Sequence, residues 1–169
     1  MDTKGMTSFE TAIGRMGIRW NERGIASIRW AAGPDAAPPS DPPRGVREAI
    51  AGITALLGGR GGDLSSVSLD FDRVEPFDRR VYELARGIRP GETRSYGELA
   101  RSLGEPDARR VGAALARNPF PIVVPCHRVV AADGGMGGFS APGGVATKRR
   151  LLAIESAYAD ESQTLFGVR

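Results

Sequence analysis

The chain has 169 residues with 41% hydrophobic and 25% charged side chains, enough to bury a core in one domain or two small lobes. No apolar run approaches the roughly 20 residues of a membrane span, and no apolar signal core opens the chain, so a cytoplasmic protein without a membrane partner is expected. A single cysteine excludes an internal disulfide, and one cysteine with one histidine cannot furnish a closed zinc site without several carboxylates, so neither metal nor cofactor is expected.

The net charge of +3 is unevenly placed: residues 1–74 carry 9 basic and 9 acidic side chains, whereas residues 101–150 carry 8 basic against 3 acidic. A local excess of that kind suits a polyanion, because phosphate contacts supply most of the sequence-independent affinity for DNA.

Residues 1–74 read as a small α/β lobe. Phe9 to Ile13, Met16 to Trp20 and Ile25 to Trp30 have strand composition, and Asn21-Glu22-Arg23-Gly24 reads as a hairpin turn. Ala32 to Arg44, rich in Pro, Ala and Asp, is an irregular surface connection. Val46, Ala49, Ile50, Ile53, Leu56 and Leu57 then share one face of a helix. Gly58 to Gly62 lacks the Lys-Ser/Thr of a phosphate-binding loop and follows a helix, so it reads as a C-cap and linker. Val67, Leu69 and Phe71 alternate with polar residues as a further strand. No chemistry is legible in this lobe, and a structural role is expected for it.

A second lobe, residues 75–169, begins with an amphipathic helix marked by Phe77, Val81, Leu84, Ala85 and Ile88. Ser95-Tyr96-Gly97-Glu98 is a capping box that opens a helix stopped at Gly104. Pro106 favours the first turn of the next helix, in which Ala108, Val111, Gly112 and Leu115 share a face, and the pair forms a helix-turn-helix. The second helix carries Gly112, Ala113, Ala114 and Ala116 between Arg109, Arg110 and Arg117. It has almost no side chain that could read base edges, so sequence-tolerant contact with DNA, as in a minor groove, suits it better.

Asn118-Pro119-Phe120-Pro121-Ile122-Val123-Val124-Pro125-Cys126-His127-Arg128-Val129 holds the lone cysteine beside the lone histidine. Ile122-Val123-Val124 predicts a short buried extended segment, ended by Pro125, that presents the thiol at a turn. A lone cysteine can be simply a small buried hydrophobe, but an adjacent imidazole and nearby arginines favour the reactive thiolate. Ala131 to Gly144 contains six glycines and reads as a loop forming a pocket wall with Phe139 as its apolar surface. Thr147 to Ser156 is a final helix.

Pro125-Cys126-His127-Arg128-Val129, with Asn118-Pro119 and Gly91 to Ala100 before it, resembles the O6-alkylguanine-DNA alkyltransferases, or methylated-DNA–protein-cysteine methyltransferases. The resemblance covers Phe77 to Glu155. It implies an α+β protein in which a ribonuclease-H-like α/β lobe precedes a winged helix-turn-helix lobe. It further implies transfer of an alkyl group from O6-alkylguanine, and from O4-alkylthymine, in double-stranded DNA to Cys126, once per molecule. His127 would be the base acting through a water, Glu155 would orient it, Tyr96 would donate to the leaving guanine, and Asn118 would bridge the helix-turn-helix to the active-site turn. The resemblance assigns base or DNA contacts to Ser95, Ala108, Gly112, Ala113, Leu115, Arg117, Arg128, Val129, Phe139, Ser140 and Lys148. The target nucleotide would be flipped out of the duplex, with Arg109 filling the gap. The run from Pro106 to Val111 looks one residue short, so Arg110 is the alternative finger. Phe139 stands where a tyrosine is common, and Ala141-Pro142 looks like an insertion. The zinc of some family members has no counterpart here, and a monomer is expected, with cooperative binding on DNA left open by the sequence. The competing reading is a non-catalytic binder of alkylated DNA, which the presence of Cys126, His127 and Glu155 together opposes. A sequence-specific regulator would need base-reading side chains on residues 108–117, and a cysteine hydrolase would need a Cys and His that converge in space.

Overall fold

A computed structural model describes residues 3–31 and 38–165, with residues 157–165 described as backbone only. The first lobe is an antiparallel sheet in the order β1 (Gly5–Thr11), β2 (Gly14–Asn21), β3 (Gly24–Trp30). Its strands alternate as a half-buried sheet requires, with Met16, Ile18 and Trp20 of β2 and Ile25 and Ile28 of β3 pointing into the core. A bulge at Arg19/Trp20 shifts the register so that Trp20 faces Ile25. Helix α1 (Arg44–Leu57) lays Val46, Ala49, Ile53, Leu56 and Leu57 on this layer. The turn at Asn21 to Gly24 is where the sequence predicts it. Residues 32–37 of the predicted irregular connection lie outside the described residues. The strand expected at Val67 to Phe71 shrinks to one bridge between Leu69 and Ile25, because Ile25 N–H goes to Ser68 O and only Asp70 N–H returns to Ile25 O.

The second lobe starts with α2 (Pro76–Ala85), which underlies α3 (Tyr96–Leu103) and α4 (Ala108–Ala116). The capping box at α3 is complete: Glu98 N–H donates to Ser95 Oγ at 3.0 Å and Ser95 N–H to Glu98 Oε2 at 2.7 Å. Gly104 ends α3 in the left-handed region at φ 67°, where a Cβ is disfavoured. Pro106 does not begin α4; Asp107 caps it, accepting from Arg109 N–H at 3.0 Å. Two tethers hold α4 to α2: buried Tyr82 Oη donates to Ala114 O at 2.7 Å, and Arg117 clamps Asp78 through bonds of 2.8 and 2.9 Å.

Ile122-Val123-Val124 is buried but not extended. Ile122 sits at φ 73° and Val124 N–H closes a turn onto Phe120 O at 2.8 Å, so the prolines and the cap from Asn118 override strand propensity. A single 3₁₀ turn, Cys126–Arg128, follows, and β5 (Val129–Val130) pairs in parallel with β4 (Arg94–Ser95) in front of α3. The last helix, α5 (Gly144–Leu165), is longer than predicted and packs against α1 and the 3₁₀ turn. One hydrophobic core runs through both lobes. No helix among the described residues is long and apolar enough to cross a membrane.

Candidate active site

Asn118 sits just beyond α4 and fixes the turn that carries the cysteine. Its Oδ1 accepts from Phe120 N–H at 2.9 Å and its Nδ2 donates to Val124 O at 3.0 Å. Cys126 is therefore half-buried at the head of the 3₁₀ turn, on the wall of a cavity of about 730 Å³. Tyr96 and Gly97 at the start of α3 line one side of this cavity. Ala108, Arg109, Gly112, Leu115 and Ala116 of α4 line the second, and Phe139, Ser140 and Gly138 of the glycine-rich loop close the third together with Ala131 and Ala132. Ala116, four residues after Gly112 and so on its face, belongs to the small-residue run read from the sequence but is not among the residues the resemblance assigns to base or DNA contact. Ala131 and Ala132 open the glycine-rich span that the sequence reads as a pocket wall, whereas Gly97 carries no signal beyond its place in the capping box.

Burial raises the Cys126 thiol above its ordinary value, against the pull of Asn118, the Lys148 charge and two backbone amides. Burial thus works against the thiolate that the sequence suggests. His127 is buried, and desolvation lowers its imidazole below the ordinary range. Burial tends to raise Glu155, but hydrogen bonds from His127 and Arg128 outweigh it and hold the carboxyl at about 2. Glu155 Oε1 lies 2.7 Å from His127 Nε2. A carboxylate can only accept, so Nε2 carries the proton and Nδ1 keeps its lone pair. Nδ1 is buried and has no hydrogen-bond partner among the described residues.

Arg128 and Lys148 are not part of a DNA-facing patch. Arg128 is 6% exposed and spends its guanidinium on Glu155, at 2.8 and 3.0 Å, and on Ile88 O at 2.7 Å. Lys148 is fully buried, donating to Val129 O at 2.6 Å and standing 3.5 Å from Tyr96 Oη. The Val129 carbonyl is thereby occupied, and its side chain lies in the core rather than at the cavity. Burial lowers the Lys148 ammonium, and burial raises the Tyr96 phenol with a smaller push from Cys126. The φ of 69° at Gly137 and the approach of its backbone to Tyr96, where a Cβ would meet the hydroxyl, explain why glycine occupies that position.

Ser95 is committed to capping α3, and Arg117 to Asp78, so neither points into the cavity. Arg110 pairs with Glu105 at 2.8 Å and lies over the Phe77 ring at 3.9 Å, on the side of α4 away from the cavity. Arg109 rims the cavity with its side chain 91% exposed and pairs with Asp107 at 3.0 Å. Ala113 is exposed on the outer face of α4.

The sequence profile described as 6-O-methylguanine DNA methyltransferase, DNA binding domain, matches residues 76–157. The methylated-DNA–protein-cysteine methyltransferase of Methanothermobacter thermautotrophicus is 37% identical over 142 residues, 83% of this chain and 78% of that protein. The chain belongs to this methyltransferase family. The Mycolicibacterium paratuberculosis member is 45% identical over 121 residues, 70% of this chain and 72% of its own length. The crystal structure of Mycobacterium tuberculosis OGT in complex with DNA matches with a TM-score of 0.77 at 32% identity, covering 96% of this chain and 99% of that one. An O6-methylguanine-DNA methyltransferase from Pyrococcus kodakaraensis matches with a TM-score of 0.66 at 30% identity over 89% of this chain and 97% of its own. Both lobes therefore follow the two-lobe α+β fold of the methyltransferase family.

Proposed function

We propose that this methyltransferase repairs DNA by moving the alkyl group of O6-alkylguanine, and also of O4-alkylthymine, onto Cys126, once per molecule. One observation carries the reading: the thiol lies on the wall of the α3–α4 cavity, beside an imidazole whose tautomer is fixed by Glu155. The Cys126 Sγ–carbon bond forms as the carbon–O6 bond breaks, and the electron pair leaves on the base. The thiol proton passes through a water to His127 Nδ1, and the Tyr96 hydroxyl donates to N3 of the departing guanine. A neutral thiol that loses its proton only as the alkyl carbon arrives suits such a relay. Asn118 holds the turn, and Ser140 and Phe139 wall the flipped base.

Flipping needs something to fill the vacated stack. Arg109, exposed at the cavity rim, has the place for it, whereas Arg110 is turned to Phe77. Ala108, Gly112 and Ala113 give α4 a smooth face for close approach to a groove. We take residues 1–74 as the supporting lobe and residues 75–169 as the DNA-binding and transfer lobe. A protein acting on chromosomal DNA works where that DNA is, and the cytoplasmic placement belongs to this reading.

The test is Cys126→Ser. It is expected to bind duplex DNA as the unchanged protein does and to accept no alkyl group from it. Transfer by the serine variant would overturn the proposal.

A further inference from the structure

The first lobe carries no chemistry of its own, yet its third strand touches both the segment that leads to Cys126 and one wall of the cavity. Ile28 N–H of β3 donates to Pro119 O at 2.9 Å, just before the turn that holds Cys126. Two residues on, and therefore on the same face of the strand, Trp30 packs against Phe139. The two rings meet edge to face, with centroids 6.3 Å apart and planes at 83°. That orientation places the positive edge of one ring on the negative face of the other.

Phe139 depends on this contact. The loop around it is bordered by Gly134, Gly135, Gly137 and Gly138, which give a backbone little stiffness of its own. Backbone hydrogen bonds tie residues 131–135 together and close Ala141 to Gly144, but none among the described residues falls on residues 136–140. What holds the segment there is the close packing of the Gly137 backbone on Tyr96 and a 3.4 Å contact from Lys148 Nζ to Gly138 O, and neither grips the Phe139 ring. A pocket wall that cannot set its own position needs a rigid neighbour. β3 supplies one, since the ladder to β2 runs through Trp30 itself, paired with Met16.

We infer that Trp30 is a specificity-determining positioning residue: through Phe139 it sets the width of the slot that receives the alkyl substituent. This rests on the proposed alkyl transfer at Cys126. With the wall fixed, the slot holds a methyl group in line with the sulfur. With the wall released, a methyl group is held poorly while a bulky flat substituent can press the wall aside.

The experiment compares single-turnover transfer from a duplex carrying O6-methylguanine with transfer from free O6-benzylguanine. In Trp30→Ala the ratio of benzyl to methyl rates is expected to rise by about fivefold, the scale of one lost aromatic pair. Trp30→Phe is expected to keep the ratio of the unchanged protein. In a Phe139→Ala background the same Trp30→Ala change is expected to leave the ratio where Phe139→Ala put it, because Trp30 acts only through that ring. Trp30→Leu keeps the apolar bulk and replaces Trp30→Ala if the latter does not fold. An unaltered ratio in the folded variant, or an equal change with and without Phe139, would overturn the inference. Failure of the unchanged protein to transfer from either substrate would instead overturn the proposed function.

Discussion

At Cys126, two influences compete: burial raises the thiol, while Asn118, Lys148 and two amides favour the anion, and burial wins. The sequence shows the neighbours but not the depth of the pocket, so it points to a thiolate where burial favours the thiol. Reaction of Cys126 with iodoacetamide is accordingly expected to keep climbing with pH through the ordinary thiol value of 9.0. A plateau already reached near pH 7 would contradict that assignment. The same limit explains Arg128 and Lys148. A count of cations along the chain cannot tell a phosphate contact from a guanidinium buried on Glu155 or an ammonium buried on Val129 O. At His127 the base role predicts that His127→Gln lowers transfer by about 100-fold, the lower range for a positioned proton acceptor. Duplex affinity measured alongside it should not move, and a variant that transfers at the original rate would remove His127 from the mechanism.

Among the elements, those with strong period and clear punctuation were legible. The three strands, α1, α2 and the capped α3 stand within a few residues of where apolar spacing and glycines put them. The active-site turn was not, because its β-branched residues argue for extension while a left-handed Ile122 is what the enclosing prolines and Asn118 impose. Nothing local in the sequence announces that outcome. The placement of α4 relies on α2, and the buried bond from Tyr82 to Ala114 O is one of its supports. Tyr82→Phe keeps the ring and removes the donor, so it is expected to cost about 1 kcal/mol in chemical denaturation. No loss would mean that the bond is replaced at no cost. On the opposite face of the helix, Arg109→Ala is expected to slow transfer from duplex by at least about fivefold, the low end for an arginine seated among bases. Transfer from free O6-benzylguanine should stay constant. The reverse ranking of Arg109→Ala and Arg110→Ala would make Arg110 the finger.

The whole molecule has one core, and its buried ionisable groups make it acid-sensitive. His127 has a folded value below the ordinary 6.5, so the unfolded chain binds the extra proton first and stability falls as pH drops below about 6.5. Glu155 is held at about 2 against an ordinary 4.5, so its contribution is present above about 4.5 and is lost as pH falls from there toward about 2. Both act in one direction, and Tm is expected to be level from pH 8 to 7 and to fall steadily below about 6.5. A Tm that is flat down to pH 4 would contradict the buried pair. The two-lobe fold follows from the strand and helix order, but the reach of β3 into the pocket wall does not, because contacts between lobes leave no periodic trace. The central claim is transfer to a single sulfur. Intact-mass and peptide measurements after incubation with excess O6-methylguanine duplex are predicted to show one added methyl group per molecule, on the peptide containing Cys126. Unmodified protein after long exposure, or a methyl group on any other residue, would contradict it.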